Sequence, residues 1–208
     1  MTTTRTVLIP SARVLRWFDN FAERHGPASY AVRDGTLHAV AADDAAATAT
    51  LPFARPYTGA AQPAALVGAV SVPGRWGVLL VRKGGFAVAR IDQERIAESK
   101  VGQRHVQGRT KAGGQSQQRF ARRRDNQARQ AYEAAADHAA RILGGPLDAL
   151  VCGGDRSAVD AVLADPRLAS SARVRVEPWL PVPDPRRAVL EQAVADACAV
   201  AITVTEPT

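Results

Sequence analysis

The stretch Lys111-Ala112-Gly113-Gly114-Gln115-Ser116 holds the residues whose types and spacing point to chemistry. Two adjacent glycines reach φ values that other residues avoid. A neutral amide, Gln115, follows them at the tip. The combination suits delivery of one backbone N–H and one side-chain amide into a narrow, negatively charged place. Glutamine does not titrate, so Gln115 is excluded as a general base and offers only dipoles.

The charge pattern agrees. Between Ser99 and Gln130 the cations are Lys100, Arg104, Arg109, Lys111, Arg119, Arg122, Arg123, Arg124 and Arg129, and the one anion is Asp125. The window therefore carries +8 against +7 for the whole chain, which leaves 7 − 8 = −1 elsewhere. Charge concentrated in one segment, not spread over the surface, suits a polyphosphate partner. Arg119, Arg122, Asn126 and Arg129 follow a 3, 4, 3 spacing, so on a helix they share a face. Arginine forks onto phosphate with two parallel hydrogen bonds. These residues are assigned to an RNA backbone, and Phe120 to packing.

The elements that must position this segment are legible in outline. A chain of 208 residues has room for one large or two small domains. Residues 1–73 read as a small α+β domain. Ser11 is placed to cap a helix over Ala12 to His25, with Val14, Leu15, Phe18, Phe21 and Ala22 on one stripe. Tyr30–Arg33 and Thr36–Val40 flank Asp34-Gly35, a hairpin signal. Thr48–Phe53 reads as a third strand and Arg55–Pro63 as a loop.

Residues 74–208 read as the second domain. Trp76–Val81 and Phe86–Ile91 flank a Lys83-Gly84-Gly85 turn, and Arg95–Val106 is a third extended segment. A long helix is expected from Ser116 to about Leu143, stopped by Gly144-Gly145-Pro146. Strands follow at Leu147–Cys152 and Arg173–Val176, with helices at Arg156–Ala164 and Arg186–Val200. This order predicts an α/β class, with an α+β mixed sheet under covering helices.

Other residues are set aside. Cys152 and Cys198 lack metal-ligand spacing, and Cys152 lies in an apolar run. His25, His38 and His138 are scattered, with no carboxylate cluster near them in sequence, so neither metal nor cofactor is expected. His105 reads as a loop histidine rather than a proton shuttle. Gly153-Gly154-Asp155 follows a strand, yet lacks the Lys and Ser/Thr of a phosphate loop. It reads as a tight turn with Asp155 as helix cap. Trp17, Trp76 and Trp179 read as structural. No signal sequence and no long apolar run are recognised, so the expected location is cytoplasmic.

Gly113-Gly114-Gln115-Ser116, followed by Arg119-Phe120-Ala121-Arg122-Arg123-Arg124, resembles the catalytic middle domain of archaeal and eukaryotic class-1 translation release factors. Val78-Leu79-Leu80-Val81 and Phe86-Ala87-Val88-Ala89 before the motif fit in order. So does Leu150-Val151-Cys152-Gly153-Gly154 after the helix. The resemblance covers roughly residues 74–200. Nothing in the chain resembles the stop-codon-reading domain of those factors or their C-terminal partner-binding domain. What remains is similar to the release-factor-like peptidyl-tRNA hydrolases of ribosome quality control, in a minimal bacterial version without ankyrin, zinc-finger or ATPase-binding segments.

The resemblance implies a release-factor middle-domain fold and stop-codon-independent hydrolysis of peptidyl-tRNA on stalled large ribosomal subunits. It implies that Gly113, Gly114 and Gln115 form the catalytic tip. The Gln115 backbone N–H would help to stabilise the oxyanion, and its side chain would help to place water. Arg104, Arg109, Lys111, Ser116, Arg119, Arg122, Arg123, Asn126 and Arg129 would contact rRNA or tRNA. The free chain is expected to be a monomer, with no membrane partner. Two other functions fit the same residues: a ribonuclease cutting near the tRNA 3′ end, and a non-catalytic ribosome-binding module.

Overall fold

The computed structural model describes residues 3–103 and 132–207. Over these residues the protein is a mixed α/β fold with two five-stranded sheets. It divides into two compact units, Met1–Val72 with Val194–Thr208, and Pro73–Ala193.

In the first unit the sheet order is β1-β10-β4-β3-β2, antiparallel throughout. The strands are β1 (Thr3–Ile9), β2 (Ala28–Arg33), β3 (Thr36–Ala41), β4 (Ala46–Thr50) and β10 (Val200–Glu206). Period-2 alternation turns Leu37, Ala39, Ala47, Ala49, Val200, Ile202 and Val204 inward. Helices α1 (Ser11–His25) and α2 (Pro63–Gly68) supply Val14, Phe18, Phe21 and Leu66 to the same core.

Local chemistry explains several departures from the sequence reading. Pro10, not Ser11, occupies the cap position of α1, and its carbonyl accepts from the Arg13 N–H at 2.8 Å. The third strand stops at Thr50 because Pro52, which has no N–H to donate, opens a 3₁₀ turn over Pro52–Ala54. Helix α2 follows with Pro63 in its first turn, where a missing N–H costs nothing. The last helix ends at Ala197, and Val200–Glu206 forms a strand instead. That strand pairs with β1 from Thr3↔Glu206 to Ile9↔Val200, and with β4 on its other side. Residues 194–208, expected in the second domain, thus belong with the first unit.

The second unit is built on a mixed sheet of order β7-β6-β5-β8-β9. β5 (Arg75–Arg82), β6 (Gly85–Asp92) and β7 (Arg95–Gln103) form an antiparallel meander, while β8 (Ala149–Gly154) and β9 (Arg175–Leu180) run parallel to β5. β5 is central and buried on both faces, which is why its sequence is a near-continuous apolar run from Trp76 to Val81. One face holds Leu79, Val81, Phe86, Val88, Leu150 and Cys152. Helix α3 (132–142) covers it with Ala135, Ala136, Ala139 and Ile142. Helix α4 (Arg156–Leu163) adds Ala158, Val159, Val162 and Leu163, and a short α5 (Ala169–Arg173) follows. Helix α6 (Arg187–Ala197) is tied to β7 by Arg187, whose Nη1 donates to Ser99 Oγ at 2.9 Å. The part of the expected long helix before residue 132 lies outside the described residues.

Candidate functional site

All twelve residues assigned from the sequence lie outside the described residues: Arg104, Arg109, Lys111, Gly113, Gly114, Gln115, Ser116, Arg119, Arg122, Arg123, Asn126 and Arg129. The elements that flank them are described, and they fix where this segment is attached.

β7 runs out at Gln103, paired with Gly85 at the start of β6. Gly85 pairs with Arg82 at the end of β5, and Val81 pairs with Gly154 at the end of β8. These residues define one end of the sheet. Helix α3 begins its described course at the same end. Burial, and then the charge of Asp155 just beyond β8, hold the Tyr132 phenol above its ordinary value. From there α3 runs back along the sheet, and the Arg90 guanidinium donates to the Gly144 carbonyl at 2.7 Å. Arg141 pairs with Glu98. Gln103 and Tyr132, the residues on either side of 104–131, therefore share the sheet end formed by the C-termini of β5, β7 and β8.

Phe86 is the central side chain under these two attachments. It is 8% exposed. Its ring lies against the backbone of Gly102, its cross-strand partner on β7. A Cβ at position 102 would fall 2.3 Å from Phe86 Cε1, so only glycine leaves space for the ring. The same ring stacks on His138 of α3, with centroids 5.6 Å apart and planes 27° apart. Isolated glycine inside a strand pattern is the sequence signal for such an approach, and Gly102 carries it.

Polar groups fasten the neighbouring turns. Arg82 donates to the Val182 carbonyl at 2.8 Å and lies 3.8 Å from Asp155 and 3.9 Å from Asp184. Asp155 occupies the N-cap position of α4, but its side chain makes no capping hydrogen bond there. Trp179 Nε1 donates to the Gly154 carbonyl at 3.3 Å, and the Arg156 guanidinium sits 4.3 Å over the Trp179 ring.

Cys152 is buried and its thiol is pushed up to about 12, mainly by burial, which makes it inert as a nucleophile. His25, read as isolated, lies near two carboxylates: Asp43 at 2.8 Å and Glu206 at 3.8 Å. The hydrogen bond from His25, with the Ala45 N–H, holds the Asp43 carboxyl below its ordinary value. His38 bonds Thr36 at 2.9 Å and Thr48 at 3.2 Å. Among the described residues, no group of three His, Cys, Asp or Glu is placed to hold a metal ion.

Charge separates the attachment from its surroundings. Segment 104–131 carries eight cations and one anion, or 8 − 1 = +7. The remaining residues hold 27 − 8 = 19 cations and 20 − 1 = 19 anions, a balance of zero. Many of the second unit's exposed arginines are met by local carboxylates. Arg175 pairs with Asp160 at 2.7 Å, Arg187 with Glu191 at 2.6 Å, and Arg167 with both Asp137 and Asp165 at 2.7 Å. The net positive charge of the protein is thus confined to the segment that joins β7 to α3.

A mixed sheet thus carries a basic, glycine-containing connection between β7, an edge strand among the described residues, and the covering helix α3. Residues 74–203 match the model of the family described as Actinobacteria/chloroflexi VLRF1 release factor. That span is more than half of the 208 residues, and the chain belongs to this family. It is a release-factor-like protein with a translation-related function. No curated protein gives a significant match. Among the described residues, no helix is long and apolar enough to cross a membrane.

Proposed function

We propose that the protein is a peptidyl-tRNA hydrolase that releases nascent chains from stalled large ribosomal subunits without reading a stop codon. The observation that carries this reading is Gly113-Gly114-Gln115-Ser116 within the span matched by a release-factor family model. The confinement of the net charge to the same segment supports an rRNA and tRNA partner.

In this reading the second unit carries the chemistry. Water adds to the carbonyl carbon of the ester joining peptide to tRNA, and charge develops on the carbonyl oxygen. The Gln115 backbone N–H donates to that oxyanion, and its side-chain amide orients the water. The ester C–O bond then breaks, the ribose oxygen takes one proton of the water, the other passes to solvent, and the peptide leaves as a carboxylate. One donor of this kind contributes a factor of about 10²–10³. Gly113 and Gly114 allow backbone approach without a Cβ clash. Arg104, Arg109, Lys111, Ser116, Arg119, Arg122, Arg123, Asn126 and Arg129 hold phosphates and so set the position of the tip. The particle supplies the remaining groups, so the free protein is a poor hydrolase.

The test is single-turnover release from a purified large subunit carrying peptidyl-tRNA, with the tRNA 3′ end sequenced afterwards. Release with an intact CCA end is expected, lowered about 10²-fold by Gln115→Ala, which keeps the backbone N–H but removes the amide that orients the water. Subunit affinity should change only a few-fold. Loss of the CCA end would instead make the protein a ribonuclease. A wild-type rate in Gln115→Ala would remove the side-chain amide from catalysis.

A further inference from the structure

Two side chains, Phe86 and His138, and the backbone of Gly102 connect the described ends on either side of segment 104–131. Gly102 is one residue short of the end of β7. His138 lies on α3, within two turns of Tyr132. The Phe86 ring lies between them, against the Gly102 backbone on one side and stacked on the His138 imidazole at 5.6 Å on the other. Among the described residues β7 is an edge strand, and its last residues pair with β6 alone. There the pairs are Gly85↔Gln103 and Phe86↔Gly102, both at the open end of the hairpin. Farther from this end the same strand and helix are tied by the Glu98–Arg141 pair, while the α3 residues nearest Tyr132 that enter the core, Ala135 and Ala136, are small. Phe86 is the large planar group that touches both.

We infer that Phe86 is a positioning residue: its ring couples the exit of β7 to the entry of α3 and so fixes the separation and angle of the stems that carry Gly113-Gly114-Gln115. The inference rests on the hydrolase reading for its functional consequence, but the coupling itself is a property of the fold. A tip that must place one N–H on an oxyanion tolerates little displacement, and misplacement by about 1 Å can cost about 10²-fold in rate. Phosphate contacts made by many flexible arginines tolerate far more. Loss of the ring should therefore lower the rate of release and spare affinity.

The experiment uses the full chain with Phe86→Leu, Phe86→Tyr and Gly102→Ala. Leucine keeps an apolar side chain but loses the flat ring. Tyrosine restores the plane. Alanine at 102 displaces the ring without altering it. Two measurements are made: hydrogen exchange at Val101–Gln103 and Tyr132–Ala136, with Leu150–Cys152 as internal control, and single-turnover release at saturating protein beside affinity for vacant subunits.

Phe86→Leu and Gly102→Ala should speed exchange at both stems together and leave Leu150–Cys152 unchanged. The saturated release rate should fall about 10-fold or more with affinity within about 3-fold. Phe86→Tyr should restore both. Faster exchange at one stem only, or at neither, overturns the coupling. Equal acceleration at Leu150–Cys152 reduces Phe86 to a general core residue and also overturns it. Loosened stems with an unchanged release rate overturn the positioning role. If the wild-type protein releases no peptide, the hydrolase reading fails, and the exchange pattern still decides whether Phe86 couples the stems.

Discussion

A Cβ at Gly154 would fall 2.3 Å from the carbonyl oxygen of Val81 on the neighbouring strand. Gly154 also sits at φ +92, in the region that side chains avoid. The contact lies at the sheet end where β8 turns into α4, and the Asp155 N–H donates to the same Val81 oxygen at 2.8 Å. Gly154→Ala must push β5 and β8 apart or break that bond. A loss of about 1–3 kcal/mol is expected in urea unfolding, from strain and overpacking together. A change under about 0.5 kcal/mol, the size of an ordinary surface substitution, would mean the turn relaxes freely.

Binding should be separable from folding at the basic segment. Replacing Arg119, Arg122 or Arg129 with Gln should weaken binding to the large subunit. Each lost phosphate contact should shallow the salt dependence by about 0.9 of a log–log unit, the duplex value. Helix propensity differs little between Arg and Gln, so stability should stay within about 0.5 kcal/mol. Arg186, exposed in the second unit and outside the basic segment, is the control. Equal salt slopes for Arg119→Gln and Arg186→Gln would point to a diffuse cationic surface.

One carboxylate gives a pH signature of folding. Asp165 accepts from the Arg167 side chain and then from the Arg167 N–H, and these bonds lower its carboxyl from 3.8 to about 2. Because the folded value is the lower one, ionised Asp165 favours the folded state above about pH 4. That contribution fades as pH falls from about 4 towards 2. Asp165→Asn should therefore be destabilising at neutral pH, and its difference from wild type should shrink below pH 4. Urea midpoints measured across this range would show it. A difference constant with pH would assign the effect to the Asp165–Arg167 turn geometry instead.

Thiol chemistry should report the core of the second unit. Cys152 is 1% exposed and its thiol is raised to about 12. Iodoacetamide at pH 8 should leave it unmodified in the native protein and modify it on unfolding, as mass spectrometry of the peptide would reveal. Labelling of native Cys152 within minutes would mean that the β5–β8 sheet opens on that timescale.

The sequence alone singled out the candidate chemistry-bearing residues and placed most of the second unit's strands along the chain. Period-2 runs such as Phe86–Ile91 and the near-continuous apolar β5 are local patterns, and local patterns survive without knowledge of partners. The Gly-Gly-Gln tripeptide and its surrounding charge are likewise properties of composition and order. Tertiary structure decided the rest. Thr3–Ile9 and Val200–Glu206 become strands because each supplies the other's hydrogen-bond ladder across almost the whole chain, a pairing no local window contains. The same distance effect put Asp43 and Glu206 beside His25. Gly102, Phe86 and His138 are ordinary residues in sequence. They meet because strand register sets Phe86 opposite Gly102 and α3 runs back over that pair, and close packing then leaves space for one ring and no Cβ.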